Sequence, residues 1–193
     1  MQHEQSNGVL IALTVITFIS SMILPFILVP TIQDVLFFSK EHWMFVTPFS
    51  AYITGVIGLV ASGVTLLVLL FAKIRTEYKD KKFSLFHYIW VVPILVGTYY
   101  LAIHSYMYVQ DDGIHYRQLG EFSATHLAWE DVTRVEKVII NDRSQISLEG
   151  YELEDSKGNS YFIENSAELR DNEYKILDQI NHVEVTVTEK EKE

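Results

Sequence analysis

Apolar residues fill the first half of the chain in three long blocks, and short alternations of apolar and polar residues fill the second. "GVLIALTVITFISSMILPFILV" covers 8–29 and "VTPFSAYITGVIGLVASGVTLLVLLFA" covers 46–72, neither with a charge. "FHYIWVVPILVGTYYLAIHSYMYV" covers 86–109, with only His87 and His104 ionisable. Each block exceeds the roughly 18–20 apolar residues that cross a bilayer as a helix, and none leaves a polar face to meet water. The pattern predicts three transmembrane helices in a region spanning 1–109. The tail "MQHEQSN" holds no Lys or Arg, and no small-x-small site follows the first block. That block is therefore read as an uncleaved helix rather than a signal peptide.

After Val109 the period changes to two. "YMYVQ" runs off the third block into Asp112-Gly113, a hairpin signal. In "IHYRQ", Ile114, Tyr116 and Gln118 share one face, and His115 and Arg117 share the other. "HLAWEDVTRVEKVII" leads through Trp129 and Val132, the expected domain core, into a β-branched run. A second hairpin turns at Ser156-Lys157-Gly158-Asn159. Ile146 and Leu148 alternate ahead of it, Tyr151 and Leu153 resume one residue out of phase, and a bulge near Gly150 would absorb the difference. Asn165 is placed to cap a helix with Glu168 as capping-box partner, and Leu169, Ile176, Leu177 and Ile180 fall on one side of it. The predicted fold is thus an α-helical membrane part of three transmembrane helices followed by a small β-rich domain, 110–183, with one C-terminal helix. A charged tail, 184–193, closes the chain, with Val185 and Val187 alternating in it.

Charge follows the same division. Up to Val109 there are six Lys/Arg against five Asp/Glu, and after it nine against twenty. An acidic domain repels phosphate backbones, so nucleic acid is not an expected partner. There is no cysteine, which removes disulfides, thiolate metal sites and thiol catalysis. The stretch 73–84 holds five Lys/Arg, whereas 30–45 holds only Lys40 and the first twenty residues after Val109 only Arg117. Positive charge beside spans stays in the cytoplasm. By that rule the N-terminus and the loop 73–85 lie inside and the C-terminal domain outside. Two aromatic groups, Phe37, Phe38, Trp43 and Phe45, and Phe83, Phe86, Tyr88 and Trp90, have the composition of interfacial anchors.

Candidate chemistry is sparse. Ala51, Gly55, Gly58 and Ser62 form a stripe of small residues that lets helices approach closely, either within this chain or against a partner. Pro93 is placed to kink the third helix. His104 and Ser105 are polar groups near the end of the third block, the only place an intramembrane enzyme would find functional groups. Glu130 and Asp131 form an acidic pair, but neighbours in a strand point to opposite faces. His115 and His126 offer imidazoles without a third ligand at recognisable spacing. No HExxH, P-loop, GxSxG or GxGxxG occurs, so no catalytic residue, metal or cofactor is assigned.

The order of these elements carries a resemblance. A span followed by Asp112-Gly113-Ile114, then Trp129-Glu130-Asp131-Val132, a hairpin and one amphipathic helix resembles the bacterial pleckstrin-homology-like domains, over about 108–183. The resemblance implies a partly open barrel of two sheets capped by the helix, with no enzyme activity and no fixed ligand. It implies a cytoplasmic domain, against the charge rule, and a third strand near 121–124, where the sequence pattern is weak. The expected protein is a multi-pass, non-enzymatic cell-membrane protein, with the lipid bilayer and a membrane or surface protein as partners. Its expected work is binding a protein or peptide at the membrane surface, in an accessory, stress-response or immunity role. The alternative is an accessory subunit of a transporter or export complex. The oligomeric state is left open.

Overall fold

The computed structural model describes residues 2–79, 81, 83–142 and 145–191. Asp80 and Lys82 of the basic loop fall outside the described residues, as does the side chain of Ile146. The chain divides into two compact units. One holds the chain up to Phe38, Thr47–Tyr106 and Arg117–Phe122; the other holds Ser39–Val46, Met107–Tyr116 and the chain from Ser123 onward.

The first unit is helical. α1 (Gln2–Ser21) and α2 (Leu24–Phe37) are followed by the long α3 (Phe49–Glu77). A 3-10 stretch, Leu85–Trp90, then leads into α4 (Val91–Ile103). At 29 residues α3 is about 43 Å long, ample for a bilayer. α1 lies antiparallel along α3: Phe18 sits where a side chain on Gly63 would be, and Asn7 Nδ2 donates to Glu77 Oε2 at 3.3 Å. Among the described residues two helical stretches, Phe49–Glu77 and Phe86–Ile103, are long and apolar enough to cross a membrane. Valines, isoleucines and phenylalanines such as Ile57, Val64, Phe71, Val92 and Val96 stand exposed along them. An apolar coat of that extent needs lipid, and the protein is a multi-pass membrane protein.

The first apolar block differs from the single span expected for it. Asn7–Ser21 and Leu24–Phe37 are bent by 66° at Met22-Ile23, a broken span or a re-entrant loop. At the break Met22 N and Ile23 N bond three residues back rather than four, and Pro25 stands in the first turn of α2, where it needs no donor. Helix then continues past the predicted end of the span, through Pro30, to Phe37. The third block is also shorter than 86–109. Its helix stops at Ile103, and Tyr106 onward is strand. Pro93 lies in the first turn of α4, just beyond the change from 3-10 to α.

The second unit holds two four-stranded sheets. The first runs in the order β1 (Met44–Val46), β2 (Tyr106–Gln110), β3 (Gly113–Arg117), β4 (Thr125–Ala128). The second contains β5 (Val132–Asp142), β6 (Gln145–Asp155), β7 (Ser160–Glu164) and β8 (Val185–Glu191), in the order β7-β6-β5-β8. The β unit is therefore discontinuous and wider than 110–183. β1 comes from between the helices and pairs with β2 through Met44↔Val109, Phe45↔Tyr108 and Val46↔Met107. Residues 121–124 form no strand; β4 follows them. The tail assigned to 184–193 supplies β8, parallel to β5 from Val135↔Val185 to Asn141↔Glu191.

Local chemistry explains the turns. Gly113 has φ +146°, and a Cβ there would lie 2.1 Å from Leu127 O, so only glycine lets β4 approach β3. In the second hairpin Asp155 Oδ1 accepts from Lys157 N at 2.8 Å and Asn159 N at 2.9 Å, while Oδ2 accepts from Asn159 Nδ2 and Tyr161 Oη. The bulge falls where the phase changes: Val138 faces Gly150 and Ile139 faces Leu148, leaving Glu149 as the extra residue. α5 (Ala167–Gln179) is capped by Ser166, whose Oγ accepts from Leu169 N at 3.0 Å. Asn165, expected as the cap, instead donates to Leu148 O at 2.9 Å and closes β7 onto β6. Leu169, Ile176 and Ile180 of this helix join Met44, Val109, Ile114, Trp129, Val135 and Leu153 in one buried core shared by both sheets.

Candidate functional site

Three groups of residues emerge, two in the helical unit and one on the β unit. The small-residue stripe of α3 faces the chain's own helices. A Cβ on Gly55 would meet Pro25 Cβ at 3.0 Å, and one on Gly58 would meet Thr98 Oγ1 at 2.1 Å. Ala51 is fully buried with Val29 and Ala102, and Ser62 is fully buried with Oγ donating to Gly58 O at 2.7 Å. These four residues are thus in use as a packing seam, at the close approach that small residues permit.

At the end of that seam lies a polar hub that the apolar pattern of the chain does not predict. Gln33 is fully buried, and its Nε2 stands 3.0, 3.1 and 2.7 Å from the carbonyl oxygens of Ala102, Ile103 and Ser105. Thr47 Oγ1 donates to its Oε1 at 2.6 Å. The last carbonyls of a helix have no helical partner, and this one amide serves them at the end of α4. Val29 and Gln33, four residues apart, are both fully buried on α2; a helical period carried past Pro30 would have found them. His104 caps α4 with Nδ1 2.9 Å from Tyr100 O and its ring against Phe37 and Tyr100. Ser105 is buried, with an Oγ that has no hydrogen-bond partner among the described residues.

On the β unit, Trp129 and Val132 are buried at 5% and 2% exposure. Trp129 Nε1 donates to Gln110 O at 3.1 Å, and its ring stacks on Trp43 at 6.1 Å. Trp43, expected at a membrane interface, packs instead against this core, with Lys175 Nζ over its ring and Asn172 Nδ2 donating to its carbonyl. Glu130 and Asp131 occupy a short 3-10 turn ahead of β5, both exposed, rather than a strand.

The outer face of the first sheet carries the densest functional chemistry. Four rings lie in a row across it: His42 on Tyr108 at 4.1 Å, Tyr108 on His115 at 4.7 Å, and His115 on His126 at 4.2 Å, each pair within 16° of parallel. The last two are direct cross-strand partners in the β3–β4 register. The β2–β3 turn brings in Asp112. Its Oδ1 lies 3.0 Å from His115 Nε2 and its Oδ2 3.6 Å from His126 Nε2. Gln110 Nε2 stands 3.2 Å from the same nitrogen of His115. One ligand atom from each of Asp112, His115 and His126 lies within 4.8 Å of the others. Partial burial pushes the Asp112 carboxyl up, but hydrogen bonds from His115 and Gln110 and the nearby imidazoles outweigh it and hold it below its ordinary range. Burial, then the neighbouring His115, pulls His42 down against the opposing charge of Glu41. Strand alternation predicts both histidines on the outer face, and only the hairpin geometry brings Asp112 beside them as a third ligand.

No family model matches the chain, and no curated protein matches it.

Proposed function

We propose that this chain is a non-enzymatic membrane protein whose helices hold a pleckstrin-homology-like β module at the membrane surface, where it binds a protein or peptide. The reading is carried by one observation: the segment between α2 and α3 is built into the module's first sheet. β1 precedes α3 and β2 follows α4, and their pairing supports the reading of α3 and α4 as an out-and-back pair of spans. The module is thereby stitched to the membrane hairpin at two places in the chain, as a presenting scaffold requires. Two sheets around one core with a single helix packed into it support the pleckstrin-homology-like reading.

The five basic residues in the stretch 73–84 support a cytoplasmic loop, with α4 crossing once between it and the module. The module then lies outside. The chain has no cysteine, so single cysteines report sidedness cleanly. A membrane-impermeant maleimide applied to intact cells is expected to label Asn181→Cys and to spare Lys79→Cys; the opposite pattern overturns this orientation. Binding is tested by a photo-reactive residue at exposed positions of the module, Phe162 or Tyr174, and at exposed positions of α3, Ile57 or Val64. Adducts to one recurring partner from the module are the expected result. Adducts from α3 alone would overturn it in favour of an accessory subunit of a transporter or export complex.

A further inference from the structure

We infer that Asp112, His115 and His126 form a binding site for a divalent transition-metal ion of the zinc class on the outer face of the first sheet. Two imidazoles and one carboxylate are ligands that zinc accepts, at about 2.0–2.2 Å each, which sets ligand atoms roughly 3.3 Å apart around a tetrahedral ion. His115 Nε2 lies 3.0 Å from Asp112 Oδ1 and His126 Nε2 lies 3.6 Å from Asp112 Oδ2, so one or the other carboxylate oxygen is near that spacing from each imidazole. All three ligand atoms fall within 4.8 Å of one another, and because an ion lies in the plane of each imidazole it binds, the stacked rings of His115 and His126, 15° from parallel, must turn about their Cβ–Cγ bonds to close the set. Calcium and magnesium are poor occupants because they take mostly oxygen ligands. Among the ions that accept imidazole, zinc binds more tightly than ferrous iron by the usual order of affinities.

The surroundings hold the three side chains close together. Tyr108 stacks beneath His115 and His115 stacks on His126, so His115 is held from both faces, and only part of its side chain is exposed. Asp112 sits in the turn before Gly113, whose φ of +146° and contact with Leu127 O fix the turn against β4. Gln110, 3.2 Å from His115 Nε2, offers its amide oxygen as a further ligand once the amide is turned. A bound ion would tie the β2–β3 turn to β4, an edge strand of its sheet. The site requires neither a partner nor any activity, so it stands or falls separately from the binding role above.

The test uses the full chain in detergent micelles, without a polyhistidine tag. Zinc is titrated in competition with a chromogenic chelator, and cobalt is added separately to read visible absorption of a low-coordinate site. One equivalent bound by the unaltered protein is expected, with binding at least about 100-fold weaker in His126→Gln and in Asp112→Asn. His182→Gln, at an exposed histidine outside the set, is expected to bind as the parent does. Zinc should also raise the melting temperature of the parent and of His182→Gln, but not of the two ligand variants. Far-UV circular dichroism reports folding, and Asp112→Asn, at an exposed turn, serves if His126→Gln misfolds. Absence of stoichiometric zinc binding by the folded parent would overturn the site. So would undiminished binding by a folded ligand variant.

Discussion

Met44→Ala is the sharpest test of the β unit's construction. β1 has three residues, and Met44 is the one that enters the core, at 2% exposure. If the segment between the helices belongs to the sheet, truncating this side chain removes core contacts and leaves a cavity beside Val109, its register partner. Met→Ala at a buried site costs about 2–5 kcal/mol, and a strand this short has little pairing of its own to absorb the loss. Taking about 3 kcal/mol, and a urea dependence of about 1.5 kcal/mol per molar for a unit of this size, the unfolding midpoint should fall by about 2 M. Urea unfolds the β unit while the helices stay in the micelle, and Trp43 and Trp129, stacked in that unit, report the transition by fluorescence. Glu130→Gln is the control: the carboxylate is exposed in a turn, and the midpoint should move by less than about 0.5 kcal/mol in equivalent stability. Equal midpoints for Met44→Ala and the parent would refute the pairing of β1 with β2, and with it the architecture that carries the functional reading.

Further expectations follow from particular contacts. In the cysteine-free chain, paired Phe45→Cys and Tyr108→Cys substitutions at directly opposed positions should form a disulfide on mild oxidation, since such pairs lie about 4.5–5.5 Å apart between Cα atoms; no crosslink, judged by gel mobility, contradicts the register. Gly58→Ala places a Cβ 2.1 Å from Thr98 Oγ1 and 2.8 Å from Thr98 Cβ, whereas Gly97→Ala meets nothing within 4 Å. The first should cost about 1–3 kcal/mol by overpacking and lower detergent thermostability relative to the second, and indistinguishable melting curves would rule this seam out. The hydrogen bonds from Asn159, with those from Lys157 N and Tyr161, outweigh partial burial and hold Asp155 down to about 2. A depressed carboxyl stabilises the fold above its unfolded value of about 4 and loses that contribution as pH falls from there through about 2. Asp155→Asn should therefore flatten the decline in melting temperature between pH 4 and pH 2, and an unchanged acid limb would show that this turn does not govern it.

What could be read along the chain was local. Apolar blocks announce membrane helices because a bilayer tolerates no long polar interruption. The hairpins at Asp112-Gly113 and Ser156–Asn159 announce themselves through turn residues, and α5 through its helical period, because neighbours in sequence decide those conformations. Only the tertiary structure decided the rest. The break at Met22-Ile23 is flanked by Ser20-Ser21 and Pro25, residues that permit a bend within an apolar run without requiring one. β1 is a three-residue piece of an unremarkable loop until Val109, more than sixty residues on, supplies its partner. Gln33 reads as one polar residue after a proline until the carbonyls ending α4 arrive around it. His115 and His126 are two outward side chains until the register sets them face to face and the turn brings Asp112 within reach. In each case the free energy resides in a contact between distant segments, and such a contact leaves no periodic trace in either one.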